Sequence, residues 1–149
     1  MNKPRSFPLD ERLARDCHQL ADLSLCRLLL MNNALLPWFI LVPDVDVVEL
    51  HELSGEQQQQ LLTEINLVSR FVQGQFSPEK LNVAAIGNIV RQLHIHIVGR
   101  NSSDVCWPGV VWGVRQREAY EQSQLEDLCR ELAAVLPAGT AIFPVTAKP

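Results

Sequence analysis

The sequence lacks any long hydrophobic run. Its longest apolar stretch, Leu35 to Val42, spans only eight residues and contains Pro37, which makes it too short for a membrane-spanning helix. The first ten residues contain no apolar segment of the kind found in signal peptides. From these two absences we expect a cytoplasmic protein that does not associate with membranes.

The sequence also lacks paired cysteines and an excess of positive charge. The four cysteines, Cys17, Cys26, Cys106 and Cys129, are scattered, which excludes the usual spacing of a zinc ribbon and indicates free thiols. Lysine and arginine total 13 against 17 acidic residues, for a net charge of -4. Sequence-independent binding to nucleic acid needs many cationic contacts, so we do not expect it. A small nucleotide needs only a few hydrogen-bond donors and is compatible with this composition.

Two β-forming segments flank a turn signal in the first third of the chain. The leucine-rich segment Leu20–Met31 is followed by Asn32-Asn33, and then by the run Trp38–Val42. This order predicts an antiparallel hairpin. Because the second run is apolar at every position, it predicts a central strand that is covered on both faces.

Helical patterns follow at two places. Ser54 and Gln57 form a capping-box pattern before a helix predicted over 54–74, and a leucine stripe predicts a last helix over about 117–135. The tail from Gly139 is expected to be loose. With no internal repeat and no linker, the sequence predicts one α+β domain over residues 1–149.

The segment Gln92–Val98 alternates polar and apolar residues, which predicts a half-buried β-strand. Its apolar residues, expected to point into the core, are Leu93, Ile95 and Ile97. The residues predicted to share the opposite face are Gln92, His94 and His96. Imidazole changes its charge near neutral pH, so this polar row is better suited to chemistry than to packing.

A neutral imidazole nitrogen can attack phosphorus and form a covalent intermediate, which water then resolves. Such a site also needs donors for the non-bridging oxygens and help for the leaving group. Gly87 and Asn88 lie at the turn before the histidine strand. There a glycine lets backbone amides approach a phosphate, and the asparagine amide adds a donor.

The segment Gln92–Val98 resembles the motif of the histidine triad (HIT) family, in which three histidines alternate with apolar residues. Gly87 and Asn88 precede His94 at the family's spacing. The resemblance covers residues 20 to 115 and also includes Trp38–Pro43, Leu81-Asn82, Arg100 and the segment from Asp104 to Gly113. It implies an antiparallel sheet of about five strands with helices against it, usually in a homodimer.

The resemblance also implies hydrolysis or transfer at the α-phosphate of a nucleotide conjugate through a nucleotidyl-histidine. By position, His94 matches the nucleophile, and His96 matches the histidine that contacts phosphate and assists the leaving group. Asn82 matches an asparagine near the ribose and phosphate. Gln92 replaces the first histidine, which supports the nucleophile, and Ile89 replaces a phosphate-binding serine.

Several alternatives remain open. A His-x-His pair can also bind a metal or serve a purely structural role, although we assign no metal ligand. Arg100 is either a surface charge or a phosphate contact, and Trp38 is either a core residue or a wall of the nucleoside pocket. His18, His51, Trp107 and Trp112 are expected to be structural or surface residues. For the two tryptophans, the alternative is a stacking wall of the site or a dimer contact.

The first functional hypothesis is a HIT-type hydrolase or nucleotidyl transferase. The second is a nucleotide- or phosphate-binding module with little catalysis, and the third is a small metalloenzyme. A HIT-type hydrolase or transferase would need no cofactor, although a divalent ion could accompany a polyphosphate substrate.

Overall fold

The computed structural model describes residues 4–149. The first three residues of the segment examined for a signal peptide lie outside this range. In chain order the elements are α1 (Glu11–Asp16), β1 (Cys17–Asp22), β2 (Cys26–Met31), β3 (Trp38–Pro43), a 3-10 turn (Leu50–Glu52), α2 (Gly55–Phe76), β4 (Lys80–Ala84), β5 (Ile95–Arg100), α3 (Gln122–Ala133) and β6 (Ala141–Ile142). No helix within residues 4–149 has the length and apolar character to cross a bilayer.

The strands form one antiparallel sheet in the order β4-β5-β3-β2-β1-β6. This confirms the predicted α+β class, but the sheet has six strands instead of about five. The additional strand comes from the C-terminal tail, where Ala141 and Ile142 pair with β1. The tail is therefore not loose. Just after β6, the backbone N–H of Phe143 donates to the carbonyl oxygen of Leu20 in β1 at 2.9 Å.

The predicted hairpin is present as β2 and β3, which pair antiparallel from Cys26 opposite Pro43 to Leu30 opposite Phe39. The predicted first segment, Leu20–Met31, is not a single strand, because its first residues belong to β1 and a bend separates them from β2. Every residue of β3 is buried. Its alternate side chains enter two different apolar clusters on the two faces of the sheet. This double burial explains why the strand shows no polar alternation in the sequence.

The larger core lies between the sheet and helices α2 and α3. Its buried members from the helices are Leu61, Val68, Phe71, Val72, Leu125, Leu128 and Leu132. A smaller cluster covers the other face, where α1 and the loop after β5 pack on β2, β3 and β5. Its members include Leu13, Leu29, Trp38, Ile40, Val98 and Val111.

The helix predictions differ in accuracy. Helix α2 begins as predicted, because Ser54 accepts from Gln57 N–H and Gln57 accepts from Ser54 N–H. Helix α3 begins at Gln122 and not near 117. The preceding segment has no regular secondary structure. Two side chains from the β2–β3 connection hold it, since Asn33 accepts from Glu118 N–H and Asn32 accepts from Tyr120 N–H.

The histidine strand keeps the predicted alternation but not the predicted boundaries. Strand β5 begins at Ile95, three residues later than expected, and continues to Arg100. Its helix-side residues Ile95 and Ile97 enter the larger core together with Leu93. His96 lies opposite Ile40 of β3, and therefore faces the smaller cluster, as period-two geometry requires.

Candidate active site

His94 directly precedes β5, His96 is the second residue of that strand, and the two rings lie side by side. Their ring centroids are 4.9 Å apart and the ring planes are inclined by 68°. Both residues are buried, with 5% and 4% of their surface exposed, yet both contribute to the wall of a cavity of about 650 Å³. The sheet thus brings the two predicted catalytic histidines together at one cavity.

The main chain determines the tautomer of His94. Its Nδ1 lies 2.6 Å from the carbonyl oxygen of Gln92. A carbonyl can only accept a hydrogen bond, so Nδ1 carries the proton and Nε2 of neutral His94 has a free lone pair. Attack through Nε2 would make the ring positive, and the same carbonyl would then stabilise that charge.

A tryptophan determines the opposite tautomer for His96. Indole Nε1 of Trp38 donates to Nδ1 of His96 at 2.9 Å, and because indole has no acceptor, Nδ1 must be unprotonated. The proton of neutral His96 is therefore on Nε2. Burial, with a smaller contribution from neighbouring His94, lowers the pKa of His96 to about 3. The ring is a neutral hydrogen-bond donor across the range of ordinary assays.

The cavity beside the histidines is mainly apolar. Its wall includes Leu13, Met31, Trp38, Ile40, Ile86, Ile89, Val90 and Trp112, and its charged members are Arg12, Arg15 and Asp16. The volume falls within the range for small-molecule sites, which typically combine an apolar lining with a few polar groups. Two charged members neutralise each other, because Arg15 Nε lies 2.8 Å from an oxygen of Asp16.

The Gly87-Asn88 turn lies next to His94, as the sequence predicts. Asn88 borders both the large cavity and a smaller polar one of about 220 Å³, and His94 forms part of the wall between them. A side chain at Gly87 would place its Cβ 3.2 Å from the carbonyl oxygen of Val90. Glycine therefore allows the chain to turn tightly here, in the segment that lines the smaller cavity with His94.

The side chain of Gln92 does not support His94. Its Oε1 accepts from Asp10 N–H at 2.8 Å and its Nε2 donates to the Pro8 carbonyl at 3.0 Å. The expected side-chain contact to the nucleophile is thus replaced by the main-chain carbonyl of the same residue. The Gln92 amide instead fastens the N-terminal segment that leads into α1.

Arg100 is neither a surface charge nor one of the residues that line the cavity. It is 1% exposed, and its guanidinium holds both oxygens of Asp104 at 2.7 and 3.0 Å. The guanidinium also donates to Asn82 Oδ1 at 2.9 Å and to the Gly109 carbonyl at 2.8 Å. The two predicted phosphate contacts, Arg100 and Asn82, therefore bind each other, and they stabilise the loop after β5.

Trp38 and Trp112 both border the cavity, and both contact His96. The Trp112 ring meets His96 edge-on at 5.2 Å between centroids. Trp38 is thus both a wall of the predicted nucleoside pocket and a hydrogen-bond donor to a catalytic candidate. No local pattern in the sequence indicates this second role, because the two residues lie 58 positions apart.

No local signal in the sequence indicates that residues of α1 border the cavity. Arg12, Leu13 and Asp16 line it because α1 packs on the face of the sheet that carries His96. The other two histidines lie elsewhere: His51 is exposed in the 3-10 turn and His18 is buried in β1. Within residues 4–149, no group of three or more His, Cys, Asp or Glu side chains is arranged to bind a metal ion.

Comparisons with known proteins agree with this geometry. Residues 12–103 match the family model of the HIT domain. The histidine triad protein of Marinobacter aquaeolei VT8 is 44% identical, over 87% of this chain and 96% of that one, with a TM-score of 0.83. The histidine triad (HIT) protein of Sinorhizobium meliloti 1021 is 40% identical, over 88% and 98% of the two chains, with a TM-score of 0.84.

A third histidine triad protein, from Bradyrhizobium japonicum, is 40% identical over 86% of this chain and 96% of its own, with a TM-score of 0.82. A search of curated proteins gave no match. The fold supports a nucleotide-binding or hydrolase-type module. With a domain match over more than half of its length and relatives of this similarity, the chain belongs to the HIT family.

Proposed function

We propose that the protein cleaves a nucleotide conjugate at its α-phosphorus through a nucleotidyl intermediate on His94. The observation that carries this proposal is the pair of opposite tautomers. Nε2 of His94 is a bare nucleophile, because Nδ1 is bound to a carbonyl. Nε2 of neighbouring His96 is a donor, because Nδ1 is bound to an indole N–H.

In the first step, the lone pair of His94 Nε2 forms the nitrogen–phosphorus bond while the bond to the leaving group breaks. Donors that can hold the non-bridging oxygens are His96 Nε2–H, the Asn88 amide and the backbone N–H groups of the Gly87-Asn88 turn. In the second step, water attacks phosphorus, the pair returns to Nε2, and the water proton passes to the product phosphate or to solvent. The apolar cavity would accept the nucleoside.

The same geometry argues against a resident metal at the two histidines. A histidine binds a metal through an unprotonated nitrogen, and in His96 that nitrogen is already occupied by the Trp38 N–H. We therefore propose a cofactor-free nucleophile, with a divalent ion entering only as the companion of a polyphosphate substrate. The homodimer and the cytoplasmic location stay predictions.

The test uses a chromogenic nitrophenyl ester of a nucleoside 5′-monophosphate with the wild-type protein and the His94→Ala variant. We expect multiple turnovers by the wild type, insensitive to a chelator, and a loss of about a thousandfold or more in the variant, because a missing nucleophile removes the covalent path. His51→Ala is the matched control, since this exposed histidine lies outside the site. Circular dichroism checks that each variant is folded.

The binding-module hypothesis has one supporting observation. Ile89, at the position of the expected serine, is 75% exposed and contributes no side-chain donor to the cavity edge. Release of nitrophenol that stops at one equivalent would mean that His94 traps the nucleotide. Binding without any release would favour the module. Full activity of His94→Ala would contradict the assignment of the nucleophile.

A further inference from the structure

A nucleotide bound in the proposed site would bring a negative charge that its two histidines do not balance. A phosphodiester is a full anion at neutral pH, and burying an unpaired anion in a mainly apolar cavity is costly. Burial lowers the pKa of His96 to about 3, so its ring is neutral, and His94 must be neutral in order to attack. The Asn88 amide and the backbone N–H groups are donors without charge. The counter-charge therefore has to come from elsewhere in the cavity wall.

Few cations are available for this role. Arg100, which the sequence allows as a phosphate contact, is paired with Asp104 and does not line the cavity. Two other arginines do line it, both on α1. Arg15 is paired with Asp16 at 2.8 Å, whereas Arg12 forms no ion pair with any residue within 4–149. Among the described residues of the wall, Arg12 is thus the cation whose charge is not already neutralised.

Arg12 lies against the turn that precedes the histidine strand. Its Nη1 donates to the carbonyl oxygen of Ile89 at 3.2 Å, and Ile89 directly follows Asn88. Both of these residues and the two histidines line the same cavity as Arg12. A guanidinium carries five N–H donors in a planar fork, and within residues 4–149 the Arg12 guanidinium uses only this one bond. Its remaining donors can bind two oxygens of a phosphate.

The place of Arg12 relative to the nucleophile depends on Gln92. The side-chain amide of Gln92 accepts from Asp10 N–H at 2.8 Å, and Asp10 caps α1 by accepting from the backbone N–H of Arg12 at 2.8 Å. The main-chain carbonyl of Gln92 binds the ring of His94. One residue therefore connects the start of the helix that carries Arg12 with the histidine that would attack phosphorus.

We propose that Arg12 binds the α-phosphate of the nucleotide and supplies its counter-charge, so that the site recognises a 5′-nucleotide by its charge as well as by its nucleoside. This inference rests on the proposed function, because it requires the α-phosphate to lie beside His94. Ile89 has no side-chain donor, and the guanidinium that rests on its carbonyl supplies one from α1. No bond to Arg12 forms or breaks in either step of the reaction.

The experiment measures binding and does not depend on cleavage. Calorimetry gives the dissociation constants of the common ribonucleoside 5′-monophosphates and of the matching uncharged nucleosides. The ratio of the nucleoside constant to the nucleotide constant isolates the contribution of the phosphate. Arg12→Met should lower this ratio by about tenfold or more, the usual contribution of a hydrogen bond to a charged group, and should leave the nucleoside constant unchanged. A purely structural role of Arg12 would change both constants together and would overturn the inference.

Arg70→Met is the matched control, because it removes the same charge from an exposed position on α2, on the other face of the sheet. It should leave the ratio unchanged. Arg12→Lys keeps the charge and should keep most of the ratio. Arg15→Met and Arg91→Met test the neighbouring cations, since Arg15 borders the same cavity and Arg91 borders the smaller one beside His94.

The results separate this inference from the proposed function. A loss in Arg15→Met or Arg91→Met as large as that in Arg12→Met would overturn the role of Arg12, and so would a lysine variant as weak as the methionine one. An unchanged ratio in Arg12→Met, in a protein that binds nucleotides and cleaves the nitrophenyl ester, would overturn the inference and leave His94 as the nucleophile. A wild type that binds none of the nucleotides and cleaves no ester would overturn the proposed function itself.

Discussion

Replacing Arg100 with methionine should destabilise the protein by about 3–5 kcal/mol, the usual cost of removing one partner from a buried ion pair. The side chains of Arg100 and Asp104 are only 2% and 7% exposed, and they meet at 2.7 Å. Methionine has a similar length without charge. The variant would leave the Asp104 carboxylate with only the backbone N–H groups of Asn101 and Cys106.

The pKa of Asp104 reflects Arg100 together with two backbone hydrogen bonds and burial. The hydrogen bond from Arg100, followed by backbone hydrogen bonds and the charge of Arg100, lowers this pKa from 3.8 to about 2 against the opposing effect of burial. At about 1.4 kcal/mol for each pKa unit, this lowering corresponds to about 2–3 kcal/mol of stability. Because the folded-state pKa is depressed, the contribution is complete above about pH 4 and is lost as the pH falls toward 2.

Urea unfolding of the wild type, Arg100→Met and the double variant Arg100→Met/Asp104→Leu measures the effect. The double variant should be more stable than the single one, because it leaves no unpaired buried carboxylate. Between pH 7 and pH 3 the free energy of unfolding of the wild type should fall relative to that of the double variant, which has no carboxyl group at position 104. Our assignment would be refuted by an Arg100→Met protein of wild-type stability whose KM for the nucleotide ester had risen strongly, since that result would make Arg100 a phosphate contact.

Two further predictions concern contacts that position the site. Gln92→Leu should cost about 1–3 kcal/mol, because two hydrogen bonds to Pro8 and Asp10 are lost. It should raise KM while retaining turnover, because the carbonyl that holds His94 remains. A thousandfold fall in kcat would mean that the Gln92 side chain supports His94 directly. Gly99→Ala should cost about 1–3 kcal/mol in urea unfolding, because the new Cβ would lie 2.7 Å from Pro37 Cγ. Gly74→Ala, in the open on α2, is the control and should stabilise the helix slightly; equal effects would mean that β5 does not approach Pro37 this closely.

The location of the catalytic candidates could be predicted from local sequence. Alternation in the segment around His94 places imidazoles and isoleucines on opposite faces, and this depends only on the two-residue period of a strand. The capping box at Ser54 and the uniformly apolar β3 are equally local signals, and the structure contains both features. Each of these features is determined by residues that are close together in the sequence.

The partners of the same side chains could not be predicted in this way. The position of Gln92 in the motif predicts support for His94, yet its amide binds a segment 82 residues away. The sequence allows Arg100 to be a surface charge or a phosphate contact, yet it forms a buried pair with a loop residue only four positions later. In both cases, the segment of chain that folds over the side chain supplies its hydrogen-bond partners.

The sequence by itself determined that the two histidines share a face beside a glycine turn, because strand periodicity and turn chemistry are properties of neighbouring residues. Only the tertiary structure decided that Trp38 holds His96, that α1 borders the cavity and that the tail adds a sixth strand. These features depend on contacts between residues far apart in the chain. Many sequences can satisfy such contacts, so no short pattern indicates them before the sheet has brought the residues together.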